Sequence, residues 1–210
     1  MVPFALLLAP GAGAGRDQEG LVAIDRQVAA MGGLTRRMDF PYRLAGRRAP
    51  DRPEVLVAAV RREAEALWAA PGPGAGLTYL GGRSMGARMC SMAVAEGLPA
   101  AGLVMVSYPL HPPGRPESLR TAHFGRLDVP CLFVSGSRDA FATAEELERE
   151  TAAIPGPVEV HVLDGGDHGL ARREGVVAGV VADWLGRQVA PGSPARPSEA
   201  AARAGEIRRS

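Results

Sequence analysis

Three residues have the types, order and flanks for nucleophilic catalysis: Ser84, Asp139 and His168. A serine hydroxyl attacks a carbonyl only when a base takes its proton, and an imidazole does so best when a carboxylate fixes its tautomer. Ser84 is the centre of Gly82-Arg83-Ser84-Met85-Gly86, placed after the apolar run Leu77–Leu80 and ahead of a stretch with helical spacing. So sharp a strand-to-helix turn forces the serine into a strained conformation, and the flanking glycines leave it room. Its Oγ then stands clear at a helix N-terminus, with the Met85 amide facing any oxyanion formed beside it. The same pentapeptide also occurs in ordinary tight turns. Its position between strand and helix gives it weight.

The base and acid should follow the serine at later strand ends, in the order Asp then His. His168, in Asp164-Gly-Gly-Asp-His168-Gly, lies just past the last apolar run. The other histidines are His111, His123 and His161, the last inside a strand. Asp139, in Ser135-Gly-Ser-Arg-Asp139-Ala-Phe, follows the preceding run. Asp164 and Asp167 compete by proximity, but a sequence neighbour rarely turns its carboxylate to its own loop histidine. A second oxyanion donor should come from the loop after the first strand, Pro10-Gly11-Ala12-Gly13-Ala14-Gly15, and Ala12 is the candidate amide.

These positions need a frame, and the apolar pattern supplies one. Strand-like runs are expected at Phe4–Ala9, Leu34–Phe40, Leu77–Leu80, Gly102–Ser107, Pro130–Ser135 and Val158–Leu163. Helical periods fall at Glu19–Met31, Arg52–Ala70, Ser84–Glu96, Ala144–Ala153 and Arg172–Val189. Strands apolar throughout, alternating with helices, predict a mostly parallel sheet of about six strands covered on both faces. Right-handed crossovers then gather the loops after the strands along one edge, where such sheets bind ligands. The stretch from His111 to Val129 is too short for a cap domain, which implies an open pocket suited to small esters. Residues 1–189 are expected to form one domain, and 190–210, rich in Pro, Ser, Ala and Arg, a disordered tail.

Composition narrows the function further. The chain has 210 residues, 46% hydrophobic and 22% charged, enough for one globular core. A net charge of +1 gives no reason to expect nucleic acid or an anionic membrane as partner. Every basic residue is Arg, so Schiff-base and P-loop lysine chemistry is excluded. Cys90 and Cys131 each sit in an apolar stretch and read as buried thiols, with a disulfide or redox pair the lesser alternative. Neither a CxxC nor a Cys/His cluster suggests zinc, and no metal or cofactor is expected. Val2–Ala9 lacks the positive flank of a signal peptide and reads as a buried strand. No run approaches the ~20 apolar residues of a membrane span. A soluble cytoplasmic protein with a small-molecule substrate is the expectation.

A rival reading takes the glycine loop and the strand ending in Asp39 as a dinucleotide fingerprint. Arg16 at the third glycine position would crowd the helix–strand contact, and Ser84, Asp139 and His168 would go unexplained. Arg83 and Arg88 flank the elbow and could bind an anionic substrate, or simply pair with carboxylates. The pairs Arg36-Arg37 and Arg47-Arg48 read as solvated surface.

At this point the segments LLLAPGAGAG, Asp39-Phe-Pro-Tyr42, GGRSMGARM, Tyr108-Pro-Leu-His-Pro-Pro-Gly-Arg-Pro-Glu117, GSRDAF and DGGDHGL carry a resemblance. Over about residues 5–188 the sequence resembles the α/β-hydrolase-like family of the testis-expressed and NSL-complex-subunit proteins, distantly similar to dienelactone hydrolases. The resemblance implies the α/β-hydrolase fold without a cap domain, nucleophile Ser84, acid Asp139 and base His168. It also implies a place beside the site for Tyr108, His111 and Pro112, with Tyr108 and His111 as substrate-binding candidates. Some members of the family act as complex subunits, so a catalytically silent scaffold is the alternative to a serine hydrolase. The sequence departs from the family at Pro10, where a His is usual, at Ala87, where a second glycine often follows the elbow, and at Leu170, where an aromatic is common. The first change leaves the oxyanion amide in place and puts the anchoring of its loop in question.

Overall fold

A computed structural model describes residues 4–190. The tail expected to be disordered lies, from residue 191 onward, outside the described residues. Six strands form one all-parallel sheet: β1 (Ala5–Ala9), β2 (Leu34–Arg37), β3 (Thr78–Arg83), β4 (Gly102–Val106), β5 (Cys131–Gly136) and β6 (Val158–Leu163), in the order β2-β1-β3-β4-β5-β6. Among the described residues six α-helices flank the sheet: α1 (Glu19–Ala30), the one-turn α2 (Pro41–Leu44), α3 (Pro53–Ala69), α4 (Met85–Ala95), α5 (Ala144–Thr151) and, after the last strand, α6 (Glu174–Gln188). The chain starts at β1, moves one way to β2, then returns past β1 to β3. That reversal opens the crevice at the carboxyl ends of β1 and β3, where both glycine-rich turns lie.

The inner strands β1, β4 and β5 read as nearly unbroken apolar runs because both of their faces are covered. In β1 the side chains of Ala5, Leu7 and Ala9 enter a core with α3 and α4, whereas Phe4, Leu6 and Leu8 enter a second core with α1 and α6. All six are 0–1% exposed. Edge strand β2 alternates exposed and half-buried positions, and its arginines are paired: Arg36 with Glu63, and Arg37 with Asp17 and Asp25. Arg37 also donates to the Arg16 carbonyl, so it belongs to a network holding the start of α1, while Arg36 ties β2 to α3 through Glu63.

The thiols of Cys90 and Cys131 are free and buried, and burial pushes both up to about 12, which leaves them unreactive. No helix among the described residues is long and apolar enough to cross a membrane.

Candidate active site

The end of β3 and the start of α4 hold Ser84 in a conformation that a side-chain-bearing residue rarely adopts, φ 51° and ψ −115°. Such backbone costs about 1–3 kcal/mol and persists only where the surroundings enforce it. Here they do. The Ser84 amide donates to the Val106 carbonyl of β4 at 2.8 Å, and its carbonyl accepts from Arg88 at 3.1 Å. Gly82 and Gly86 press against the Ala9 carbonyl at the end of β1, so a Cβ at either position would displace that strand from the elbow.

Ser84 Oγ lies 2.9 Å from His168 Nε2, and His168 Nδ1 lies 2.9 Å from both oxygens of Asp139. A carboxylate only accepts, so Nδ1 carries the ring proton and Nε2 is left to accept from the serine. Asp139 has its side chain fully buried, while that of His168 is 21% exposed. The carboxylate is further held by the Phe141 amide at 2.8 Å and by Ser135 Oγ at 3.3 Å. The rivals are engaged elsewhere: Asp164 accepts from Ser137, and Asp167 from the Leu170 amide. The loops bearing acid and base are tied directly, Ser137 donating to the Leu163 carbonyl and Arg138 to that of Gly166.

Among the described residues the amides of Ala12 and Met85 have no protein acceptor, and both residues line the cleft at Ser84. The loop at Pro10 is anchored without a histidine. Gly11 donates to Gln18 Oε1 at 3.1 Å, Gly13 to Tyr42 Oη at 3.1 Å, and Arg16 to Asp39 Oδ1 at 2.8 Å. Asp39, the residue behind the dinucleotide alternative, thus serves as a loop anchor. The cleft measures about 490 Å³ and runs from this loop over Ser84 and His168 to Pro50, Pro109 and Arg120.

Two expected contacts are not brought to the cleft. Tyr108 is 1% exposed, packed on Phe124 and Phe133, and its hydroxyl donates to the Arg120 carbonyl at 2.9 Å. His111 is bonded on both nitrogens, to the Pro112 carbonyl and to Glu146, at 2.8 and 3.1 Å. Desolvation opposes its charge, but the two acceptors outweigh it and raise its pKa. Three contributors had no strong sequence signal. Phe141 stacks on the His168 ring at 4.0 Å, supplying the aromatic support that Leu170 cannot. Arg83, whose pKa burial lowers, donates to the His168 carbonyl at 2.6 Å and so links elbow to base loop. Tyr42 entered only as the last residue of a segment that carries the family resemblance.

The profile of the alpha/beta hydrolase domain family matches residues 3–180. The chain belongs to that family. Among solved structures it is similar to Est1E from Butyrivibrio proteoclasticus, at 14% identity and a TM-score of 0.74 over 90% of each chain. It is similar as well to an alpha-beta serine hydrolase homologue from Coxiella burnetii, at 20% identity and TM-score 0.66 over 89% of this chain and 85% of that one. A protein of the alpha/beta hydrolase superfamily from Xanthomonas campestris shares 22% identity, with TM-score 0.63 over 87% of this chain and 98% of that one. At these identities the likeness concerns the fold.

Proposed function

We propose that this protein is a serine hydrolase acting on small carboxylic esters or thioesters through an acyl-Ser84 intermediate. One observation carries the reading: an unbroken chain from a strained, cleft-facing Ser84 through His168 to the buried carboxylate of Asp139. His168 takes the Oγ proton as the serine attacks the carbonyl carbon, and Ala12 and Met85 donate to the resulting oxyanion. His168 then passes that proton to the departing alkoxide or thiolate. A water, deprotonated by the same imidazole, attacks the acyl-serine and releases the acid. Within the family, the testis-expressed and NSL-complex-subunit type is the narrower membership we favour, and the cytoplasm its place of action.

The scaffold alternative rests on Pro10 and on the family members that act as complex subunits, and the three hydrogen bonds holding that loop speak against the first of these motives. A fluorophosphonate probe should label the wild type and leave Ser84→Ala unlabelled. Folded wild type that stays unlabelled, and that fails to turn over p-nitrophenyl acetate, would defeat the proposal.

A further inference from the structure

The cleft at Ser84 is lined by three arginines, and two of them have nothing to balance their charge. Arg83 faces Asp139, Asp167 and Glu174. Arg88 and Arg120 have no carboxylate within ion-pair distance among the described residues. Asp51, the one acid among the described residues that line the cleft, holds Arg47 at 2.7 Å through Oδ1, while its Oδ2 is buried without a donor. The Nε of Arg88 is buried without any acceptor, an unfavourable state for a donor unless a ligand completes it.

The placement of both groups is built in. Arg88 lies in the first turn of α4, four residues after its N-cap Ser84, and both residues line the cleft. Arg120 is pinned at both ends of its peptide: its amide donates to the Leu110 carbonyl at 2.7 Å, and its carbonyl accepts from the buried Tyr108 hydroxyl at 2.9 Å. Arg88 and Arg120 line the same cleft, and burial, then the charge of Arg88, lowers the pKa of Arg120. An anion between them would turn the repulsion into a pair of charge-assisted, fork-shaped contacts.

We propose that Arg88 and Arg120 form a carboxylate-binding subsite, and that the substrate is an ester bearing a free carboxylate a few bonds from the scissile carbonyl, as in a hemi-ester of a short dicarboxylic acid. This rests on Ser84 being the nucleophile. The neutral tail of a simple acyl ester leaves both guanidinium groups unmatched, whereas the hemi-ester places its carbonyl at the Ala12 and Met85 amides and its charge at the arginines.

The test compares kcat/KM for p-nitrophenyl hydrogen glutarate with that for p-nitrophenyl valerate, in wild type, Arg88→Gln, Arg120→Gln and the charge-keeping Arg88→Lys. The wild type should prefer the hemi-ester, and each glutamine variant should lower that preference roughly tenfold or more, with Arg88→Lys retaining part of it. A wild type indifferent to the carboxylate, or a preference unmoved by either glutamine substitution in folded protein, overturns the subsite. Glutarate binding to Ser84→Ala, followed by calorimetry, separates this failure from failure of the nucleophile. Binding weakened by Arg88→Gln in that background supports the subsite even without turnover. No binding at millimolar glutarate, or tighter binding of inorganic phosphate, refutes the carboxylate assignment.

Discussion

Among the described residues two serines bond a histidine, one at the N-cap of helix α4 and one within it. Ser84 meets His168 at 2.9 Å at its N-terminus, and Ser91 meets His123 at 2.8 Å two turns on. Distance does not tell them apart. Third partners do. In the first pair Asp139 accepts from Nδ1, so Nε2 is free to receive the serine proton. In the second, Ser91 gives its proton to the Arg88 carbonyl at 2.9 Å and can only accept from His123, whose Nε2 is therefore the donor. Backbone and burial reinforce the contrast. Ser84 is strained and faces a cleft, whereas Ser91 lies inside the helix, fully buried, beside a histidine 7% exposed. Burial, aided by Arg88 and Arg126, lowers the pKa of His123 to about 4 and keeps it neutral. What sets the first pair apart is thus a carboxylate that fixes the tautomer and a backbone that presents the hydroxyl to the cleft.

The bluntest way to break this comparison is to delete each pair. His168→Ala should lower kcat on p-nitrophenyl acetate by roughly 10⁴- to 10⁶-fold, the range for removing a member of a triad that acts as a unit. Ser91→Ala should change it by less than about threefold, since an inward helix hydroxyl touches no reacting atom. Comparable losses from both would erase the distinction.

The third partner is tested by Asp139→Asn. The amide can present its NH₂ group to Nδ1, which turns the imidazole to the tautomer with the proton on Nε2, facing the serine. A fall in kcat of about 10⁴ is expected, with the fold intact by circular dichroism. A loss under tenfold would mean that the carboxylate does not set the tautomer.

How far the sequence reveals this arrangement follows from how local each cause is. The inner strands were legible because burial on both faces makes them continuously apolar, as in Leu6–Ala9 and Gly102–Val106. Ser84, Asp139 and His168 were legible because each sits in a glycine-punctuated turn beyond a strand. Tyr108 and His111 were placed by resemblance at the site. The fold instead spends one on supporting the Arg120 backbone and the other on Glu146, choices that depend on packing between segments distant in the chain. The support from Phe141 and the pairing of His123 with Ser91 were invisible for the same reason. Helix α2 was missed because four residues carry no period.

His123 gives the comparison a pH dependence. Its folded pKa of about 4 lies below the ~6.5 of an unfolded histidine, so the unfolded chain binds more protons between those values. Stability from keeping the ring neutral is present above pH 6.5 and is lost as the pH falls toward 4. His111, with its raised pKa, works in the opposite direction, so the informative quantity is wild type minus His123→Gln. Urea unfolding should show this difference shrinking by about 2 kcal/mol from pH 7 to pH 4.5. A constant difference would mean that His123 is as readily protonated folded as unfolded.

The smallest expected effect probes what the first pair needs beyond its three side chains. Tyr42→Phe removes the acceptor for the Gly13 amide while keeping the ring, which is fully buried and stacked near Phe40. A neutral hydrogen bond of this kind contributes about 1 kcal/mol, and here it steadies the backbone that carries the Ala12 amide. Its loss should fall on the transition state, where the oxyanion forms, more than on substrate binding. A roughly fivefold lower kcat with KM nearly unchanged is expected. The same substitution should leave the His123 stability profile unmoved, because the loop and the Ser91 pair share no hydrogen-bond partner. An effect on KM alone would place Tyr42 among groups that shape the cleft rather than those that steady the oxyanion donor.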